Sequence, residues 1–529
     1  MSSPRFYITT AIPYVNGDPH VGFALECVQA DVLARHRRQR GDDVRFLSGT
    51  DENSLKNVEA AAAAGVPVAA FVDAKAARFA ALRDALELST DDFIRTSVDP
   101  RHRPGVERLW RACAQRGDLY QRDYEGLYCT GCESFLTEDE LAGGHCAEHG
   151  RAPERVVERN WFFALSRYED RLLELLDSGR IRIEPEHRRN EVLEFVRGGL
   201  SDFSVSRPRE RARGWGIPVP GDPAQVVYVW FDALANYITA LGYGGDEGHG
   251  GDHRDWWHEP GERVHIVGKG ITRFHAVYWP AILLSAGEPL PTSIFVHDYL
   301  TANGAKLSKS SGSATDPAFL CERYGSDALR WWFARDVVRS GDTDFREDLV
   351  VARSHELAGR LGNLVNRTIA LVCRYRPDGV GEAGEGAVVV GGEAGEGAVG
   401  VGGEAGEEAV SGGALRAAIA RAPAAIDEAL GRFDLRAAAA ALWQLVDEAN
   451  RFVTSARPWE LAKREASDPD ARGALDETLA LLLAACNLLA RELAPFLPAA
   501  ARRIELVLAT RDVELGRRLF VRLEPVAGV

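Results

Sequence analysis

Thr10-Ala11-Ile12-Pro13-Tyr14-Val15-Asn16-Gly17-Asp18-Pro19-His20-Val21-Gly22-Phe23 decides the fold of this chain. It begins as the end of an apolar strand, Phe6 to Ile12, crosses a short loop and enters a helix at His20-Val21-Gly22. A helix N-terminus that follows a strand is a natural anion site, because its free amides and its dipole point at the ligand. His20 is placed to donate a hydrogen bond there, and Gly22 lets a ligand approach the backbone. Such a turn implies a parallel sheet with covering helices.

The flanking sequence agrees. Val44 to Leu47 reads as a second strand, and helical stretches run over 21–40, 54–64 and 68–88. The sheet pattern breaks between about 116 and 160. It resumes at Val226-Val227-Tyr228-Val229-Trp230-Phe231, then at Val264 to Val267 and Ser293 to Val296. One sheet interrupted by an insertion fits better than two unrelated sheets. Beyond residue 350 the helical period dominates, with stretches near 353–376, 414–429, 434–456 and 472–494. Residues 378–413 carry Gly-Glu-Ala-Gly at 381, 392 and 403, an 11-residue repeat, and read as a flexible insertion.

Bulk properties exclude several classes. At 529 residues, 46% hydrophobic and 27% charged, the chain has ample core for three or four domains. No apolar run reaches the roughly 18–20 residues of a membrane span, and the N-terminus has no apolar signal core, so a cytoplasmic protein is expected. A net charge of −15 argues against wholesale electrostatic wrapping of nucleic acid but leaves room for a local basic surface.

Of eight cysteines, three cluster. Cys129-x2-Cys132, thirteen residues, then Cys146-x2-His149 has zinc-ligand spacing, and three thiolates with one imidazole close a tetrahedral, structural shell. His145 is an alternative ligand, less suited because it adjoins Cys146. The other cysteines read as reduced core thiols. His249, His253 and His258, in a Gly/Asp-rich loop, are expected to be solvated.

A second cationic stretch, Lys306-Leu307-Ser308-Lys309-Ser310-Ser311-Gly312, follows Asn303-Gly304-Ala305. Two lysines at i, i+3 between Ser and Gly suit a loop that closes over a polyanion. Together with Pro19-His20-Val21-Gly22-Phe23, about 285 residues upstream, this stretch resembles the paired signatures of the class I aminoacyl-tRNA synthetases. The surrounding text resembles their methionyl branch.

The resemblance implies an α/β Rossmann-type catalytic domain split by a zinc-knuckle insertion, followed by an all-α anticodon-binding bundle. The expected divisions are 1–115 and 196–350 for the catalytic halves, 116–195 for the insertion, and 351–529 for the bundle. It implies ATP-dependent activation of L-methionine and transfer to initiator and elongator methionine tRNA, with Mg2+ accompanying ATP and one structural Zn2+. On this reading His20, Lys306, Lys309 and Arg207 are catalytic. His20, Gly22, Lys309 and Gly268 hold ATP. Ile12, Tyr14, Asp51, Trp230, Ala233, Tyr237 and His275 hold methionine, the aromatics suiting a polarizable thioether and Asp51 the ammonium. Asn363 and Arg367, at i, i+4, and Trp459 would read the anticodon by hydrogen bonding and stacking. Because the chain stops soon after the bundle, a monomer is expected.

Three positions depart from the family pattern. Phe23 stands where a second histidine is usual, Asn53-Ser54 where His-Gly is usual, and Gly270 where an aspartate follows Gly-Lys. They keep two other readings open. One is a specialised or inhibitor-tolerant paralogue that activates an amino acid for another acceptor. The other is an inactive tRNA-binding protein.

Overall fold

The computed structural model describes residues 3–129, 134–136, 141–147, 150–245, 251–302, 304–306, 316–380, 412–520 and 523. It divides into two compact units, residues 1–320 with 338–345, and residues 321–337 with 346–529.

In the first unit the opening strand, Arg5–Thr10, lies inside a six-stranded sheet. The order is Asp92–Arg95, Asp43–Thr50, Arg5–Thr10, Gly261–Gly268, Ser293–His297, Arg182–Glu184, and every pairing is parallel. Strands buried on both faces need continuous apolar runs, and Phe6, Ile8, Phe46, Val264, Ile266, Ile294 and Val296 supply them. The strand order reverses direction between Arg5–Thr10 and Gly261–Gly268. A crevice opens at the carboxyl ends of such neighbours, where ligands of open parallel sheets bind.

Three expectations need correction. The stretch 226–231 does not extend the parallel sheet. Asp222–Val227 forms a separate antiparallel sheet with Ser206–Pro208 and Pro218–Val219, and Val229–Leu234 is helical. An apolar run of this length suits either state, and its neighbours decide. Second, the helix expected over 68–88 breaks at Ala81 into Val68–Ala80 and Leu82–Ala85. Third, Arg182–Glu184, inside the stretch read as insertion, is the edge strand of the parallel sheet. The rest of that stretch is built on a long antiparallel pair, Leu119–Cys129 with Glu154–Phe163, flanked by Ser134–Leu136 and Phe203–Ser204.

The second unit is helical. Asn363–Tyr375, Gly413–Gly431, Leu435–Ala456, Pro469–Leu493 and Pro498–Thr510 pack together. Pro469–Leu493 is long and apolar enough to span a membrane by length and composition, which the expectation of no such run overlooked. Here Leu475, Leu479, Leu482, Leu489 and Leu493 are spent on the bundle core. The repeat at 381–411 lies outside the described residues.

Candidate active site

The crevice is built from the first signature. His20 caps the helix Val21–Gln39, and its Nδ1 accepts the Gly22 amide at 3.0 Å. That bond leaves the ring proton on Nε2, the donor atom a phosphate oxygen needs. A Cβ on Gly22 would lie 2.9 Å from the His20 ring. The glycine therefore makes room first for the histidine itself, not only for a ligand as expected.

Glu26, one turn further on and 5% exposed, ties the crevice together. Its Oε1 accepts the Ala11 amide at 2.7 Å and its Oε2 lies 2.9 Å from His297 Nε2. His297 Nδ1 donates to the Asp298 carbonyl at 2.9 Å. Burial alone would lower the His297 pKa, but the Glu26 and Asp298 contacts outweigh it and raise it above 6.5. Neither residue was singled out from sequence. A carboxylate inside a helix buried nearly all round, as Glu26 and Asp31 both are, was the available signal.

An aromatic pocket stands beside it. Trp230 stacks on Phe274 with centroids 3.7 Å apart, and Tyr14 meets Trp230 edge-on at 6.2 Å. Phe274 is a wall that sequence reasoning passed over, although it adjoins His275. Tyr14 also forms an isolated parallel bridge with Asp51, which is 2% exposed, so the loop and the strand end carry these two residues together. Ile12 sits over Gly49, where a Cβ would come within 3.1 Å of its Cγ2. Buried Ala233 and Tyr237 lie on the helical segments that follow Tyr228.

Tyr237 and His275 define each other. His275 Nδ1 donates to the Ile271 carbonyl at 3.0 Å, so Nε2 accepts the Tyr237 hydroxyl at 2.7 Å. Burial lowers the His275 pKa to about 4, keeping the ring neutral. Burial likewise pushes the Tyr237 hydroxyl far up. His265 packs against Tyr237 at 4.2 Å and bonds Thr9 Oγ1 at 2.8 Å, and burial holds its pKa well below 6.5. The result is a polar-aromatic cluster around a neutral Tyr237–His275 pair, with the buried carboxylate Asp51 bridged to Tyr14. Such a lining suits an apolar, polarizable side chain bearing an ammonium.

Family comparison decides which class this geometry serves. The model for "tRNA synthetases class I (M)" matches residues 6–149 and 137–369, and "Anticodon binding domain of methionyl tRNA ligase" matches 399–524. The chain belongs to the methionine–tRNA ligases of class I. It is 38% identical over 538 residues to the methionine–tRNA ligase of Brucella suis, covering 100% of this chain and 96% of that one. To the Thermotoga maritima ligase it is 43% identical over 376 residues, 70% of this chain and 58% of that one. Among solved structures it is similar to Mycobacterium tuberculosis methionyl-tRNA synthetase in complex with methionyl-adenylate. The TM-score is 0.83 with 36% identity, over 99% of this chain and 97% of that one.

Within this methionine–tRNA ligase the three departures have local accounts. Phe23 is 8% exposed and packs edge-on against Phe79 at 5.5 Å. Ser54 caps the helix Leu55–Ala64, accepting from the Lys56 amide at 3.0 Å. Asn53 donates to Asp232 Oδ2 at 2.8 Å, and Asp232 Oδ1 lies 2.5 Å from His102 Nε2, a buried network that sequence did not suggest. Beside Gly270, Lys269 finds a carboxylate in Asp342, 2.5 Å away.

Other predicted residues are placed less centrally. Gly268 ends the strand beside the crevice, with His297 3.5 Å from where its Cβ would stand. Arg207 is buried on an antiparallel strand. Its guanidinium lies over the Tyr228 and Tyr128 rings at 4.4 and 4.9 Å and donates to Ser204 Oγ and the Ser206 carbonyl, both at 3.1 Å. It lines a small cavity with Asn53 and Trp215.

Lys306 pairs through its backbone with Thr301, while Lys309 lies outside the described residues. Cys129 and Cys146 are buried, and Cys132 and His149 lie outside the described residues. His145 is exposed and bonds the Gly143 carbonyl at 3.1 Å. In the helical unit Asn363 is exposed and Arg367 half-buried, sharing one face of Asn363–Tyr375. Half-buried Trp459 opens the short helix Pro458–Arg464, which packs against that helix.

The loop histidines depart from expectation. His253 and His258 are not solvated singly. Both face Glu288, at 3.2 and 2.9 Å. His249 lies outside the described residues.

Proposed function

We propose that this methionine–tRNA ligase divides its two steps among the residues of the crevice as follows. Asp51 receives the ammonium of methionine. Ile12, Tyr14, Trp230, Ala233, Tyr237 and His275 hold its side chain. The methionine carboxylate then attacks the α-phosphate of ATP, and pyrophosphate leaves. His20 Nε2, the amides of the helix it caps, Gly22 and Gly268 receive the phosphates, with Lys306 and Lys309 closing over them. Arg207 reaches the phosphates only if it leaves its tyrosine clamp. No side-chain nucleophile is required, because positioning and charge stabilisation suffice. The terminal ribose hydroxyl of tRNA then attacks the carbonyl of the methionyl-adenylate, taking the methionyl group as AMP leaves.

The observation that carries this reading is the neutral Tyr237–His275 pair beside the Trp230–Phe274 stack. An uncharged pocket admits a thioether and rejects charged side chains. Asn363, Arg367 and Trp459 read the anticodon. Mg2+ accompanies ATP. Cys129, Cys132, Cys146 and His149 would hold Zn2+, which supplies structure rather than chemistry. A cytoplasmic location goes with this reading, because its thiolate ligands need a reducing compartment. The chain acts as a monomer, which light scattering tests.

Methionine-dependent exchange of pyrophosphate into ATP, followed by charging of initiator and elongator methionine tRNA, tests the assignment. Exchange with charging supports it. Exchange without charging points to another acceptor, and no exchange leaves tRNA binding alone. Trp459→Ala should leave exchange unchanged and weaken tRNA use by about 10- to 100-fold. Unaltered charging at limiting tRNA would refute the anticodon assignment.

A further inference from the structure

We propose that His253, His258 and Glu288 form a binding site for a divalent first-row transition ion of the zinc class, separate from the cysteine cluster. The three side chains offer two imidazole nitrogens and a carboxylate oxygen, all within 4.8 Å of one another. A tetrahedral ion with ligand bonds near 2.05 Å separates its ligands by about 3.3 Å. The two nitrogens lie 3.2 and 2.9 Å from the same oxygen, Glu288 Oε2. Imidazole with carboxylate is a donor set that suits zinc, nickel and copper rather than magnesium.

The alternative is a metal-free cluster in which both histidines hydrogen-bond Glu288. One feature of His253 argues against it. The residue is 9% exposed, and its buried Nε2 has no hydrogen-bond partner among the described residues although it lies 3.2 Å from the carboxylate. A buried nitrogen 3.2 Å from an oxygen but out of line for a hydrogen bond recovers little of its lost hydration. An ion between them satisfies both. His258, with 43% of its side chain exposed, leaves one side open for water to complete the shell.

The surrounding backbone is held in place. Glu288 follows the left-handed cap Gly287, and its amide bonds the Leu283 carbonyl at 2.9 Å. His258 ends the turn Arg254–His258. Between the two histidines, Trp257 donates to the Pro289 carbonyl at 3.0 Å and packs on Tyr7, His265 and Trp279. Tyr237 packs on His265 and Trp279 in turn. A bound ion therefore ties the 251–258 segment to residue 288 behind the wall of the methionine pocket.

Zn2+ binding by competition with a chromophoric chelator tests the site on the full chain, its folding checked by circular dichroism. The wild type should bind one equivalent more than His258→Ala or Glu288→Gln, and only the wild type should gain melting temperature from that equivalent. Loss of a ligand should weaken this equivalent by about 100-fold or more. Equal stoichiometry in all three proteins overturns the proposal. Copper(II) resonance needs no variant when the wild type carries a single zinc equivalent, which the cysteine cluster takes first, leaving the His253–His258–Glu288 site for copper. Couplings from two imidazole nitrogens support the site, and a spectrum without them rejects it.

Discussion

Glu26 Oε2 lies 2.9 Å from His297 Nε2, joining the helix of the first signature to the strand that leads into the second. The same carboxylate holds the Ala11 amide at 2.7 Å. One buried side chain thus sets the spacing of the crevice in which the phosphates are proposed to sit. Because His297 is raised above 6.5, the charged pair is fully formed below that pH and is lost as pH rises through the raised value. Glu26→Gln keeps an acceptor for Ala11 but removes the charge, so burial then lowers the His297 pKa. Melting temperature from about pH 6 to 9 should fall more steeply in the wild type than in the variant. Parallel curves would show that the pair does not titrate in this range.

Tyr237→Phe removes the donor to His275 Nε2 and leaves a buried acceptor, at a cost of about 1–3 kcal/mol. The expected result is a rise of about tenfold or more in KM for methionine, with KM for ATP unchanged. Equal loss in both would place the pair outside the amino-acid pocket.

His275 contributes in the opposite pH direction from His297. Its folded pKa is near 4, against 6.5 when unfolded, so its contribution is present above 6.5 and lost as pH falls toward about 4. Methionine KM should be flat from about pH 6 to 8, where His275 stays neutral in the folded state. A step in KM centred in that interval, absent from His275→Gln, would contradict a neutral ring.

Gly22→Ala places a methyl 2.9 Å from the His20 imidazole and displaces it from the cap. Loss of the cap costs about 1 kcal/mol, and loss of the oriented donor should slow pyrophosphate exchange by about 100-fold. Exchange at the wild-type rate would mean that His20 need not be held at the helix start.

Phe23→His restores the family's usual residue but buries an imidazole against Phe79. It should lower stability by about 1–3 kcal/mol without speeding exchange. A gain in exchange rate would show instead that Phe23 limits this enzyme.

Much of this was legible in the chain. Two short signatures, an apolar alternation and the helical period of the last third gave the parallel sheet, the crevice-forming turn and the bundle, because these follow from local rules of capping and periodicity. The residues proposed for the pocket came from motifs, and two of them, Tyr237 and His275, meet in the structure. The partnership of Glu26 with His297 spans 271 positions, and that of Asp232 with His102 spans 130. No local rule reports such pairings. The same holds for the strand at 222–227, which an apolar run could not assign to one sheet or another, and for His253 and His258, whose meeting with Glu288 depends on where a distant helix ends. The sequence by itself determined most of the elements and the family. Tertiary structure alone decided which buried charges face each other, because burial and proximity, which set a side chain's ionisation and partners, exist only once the chain has closed on itself.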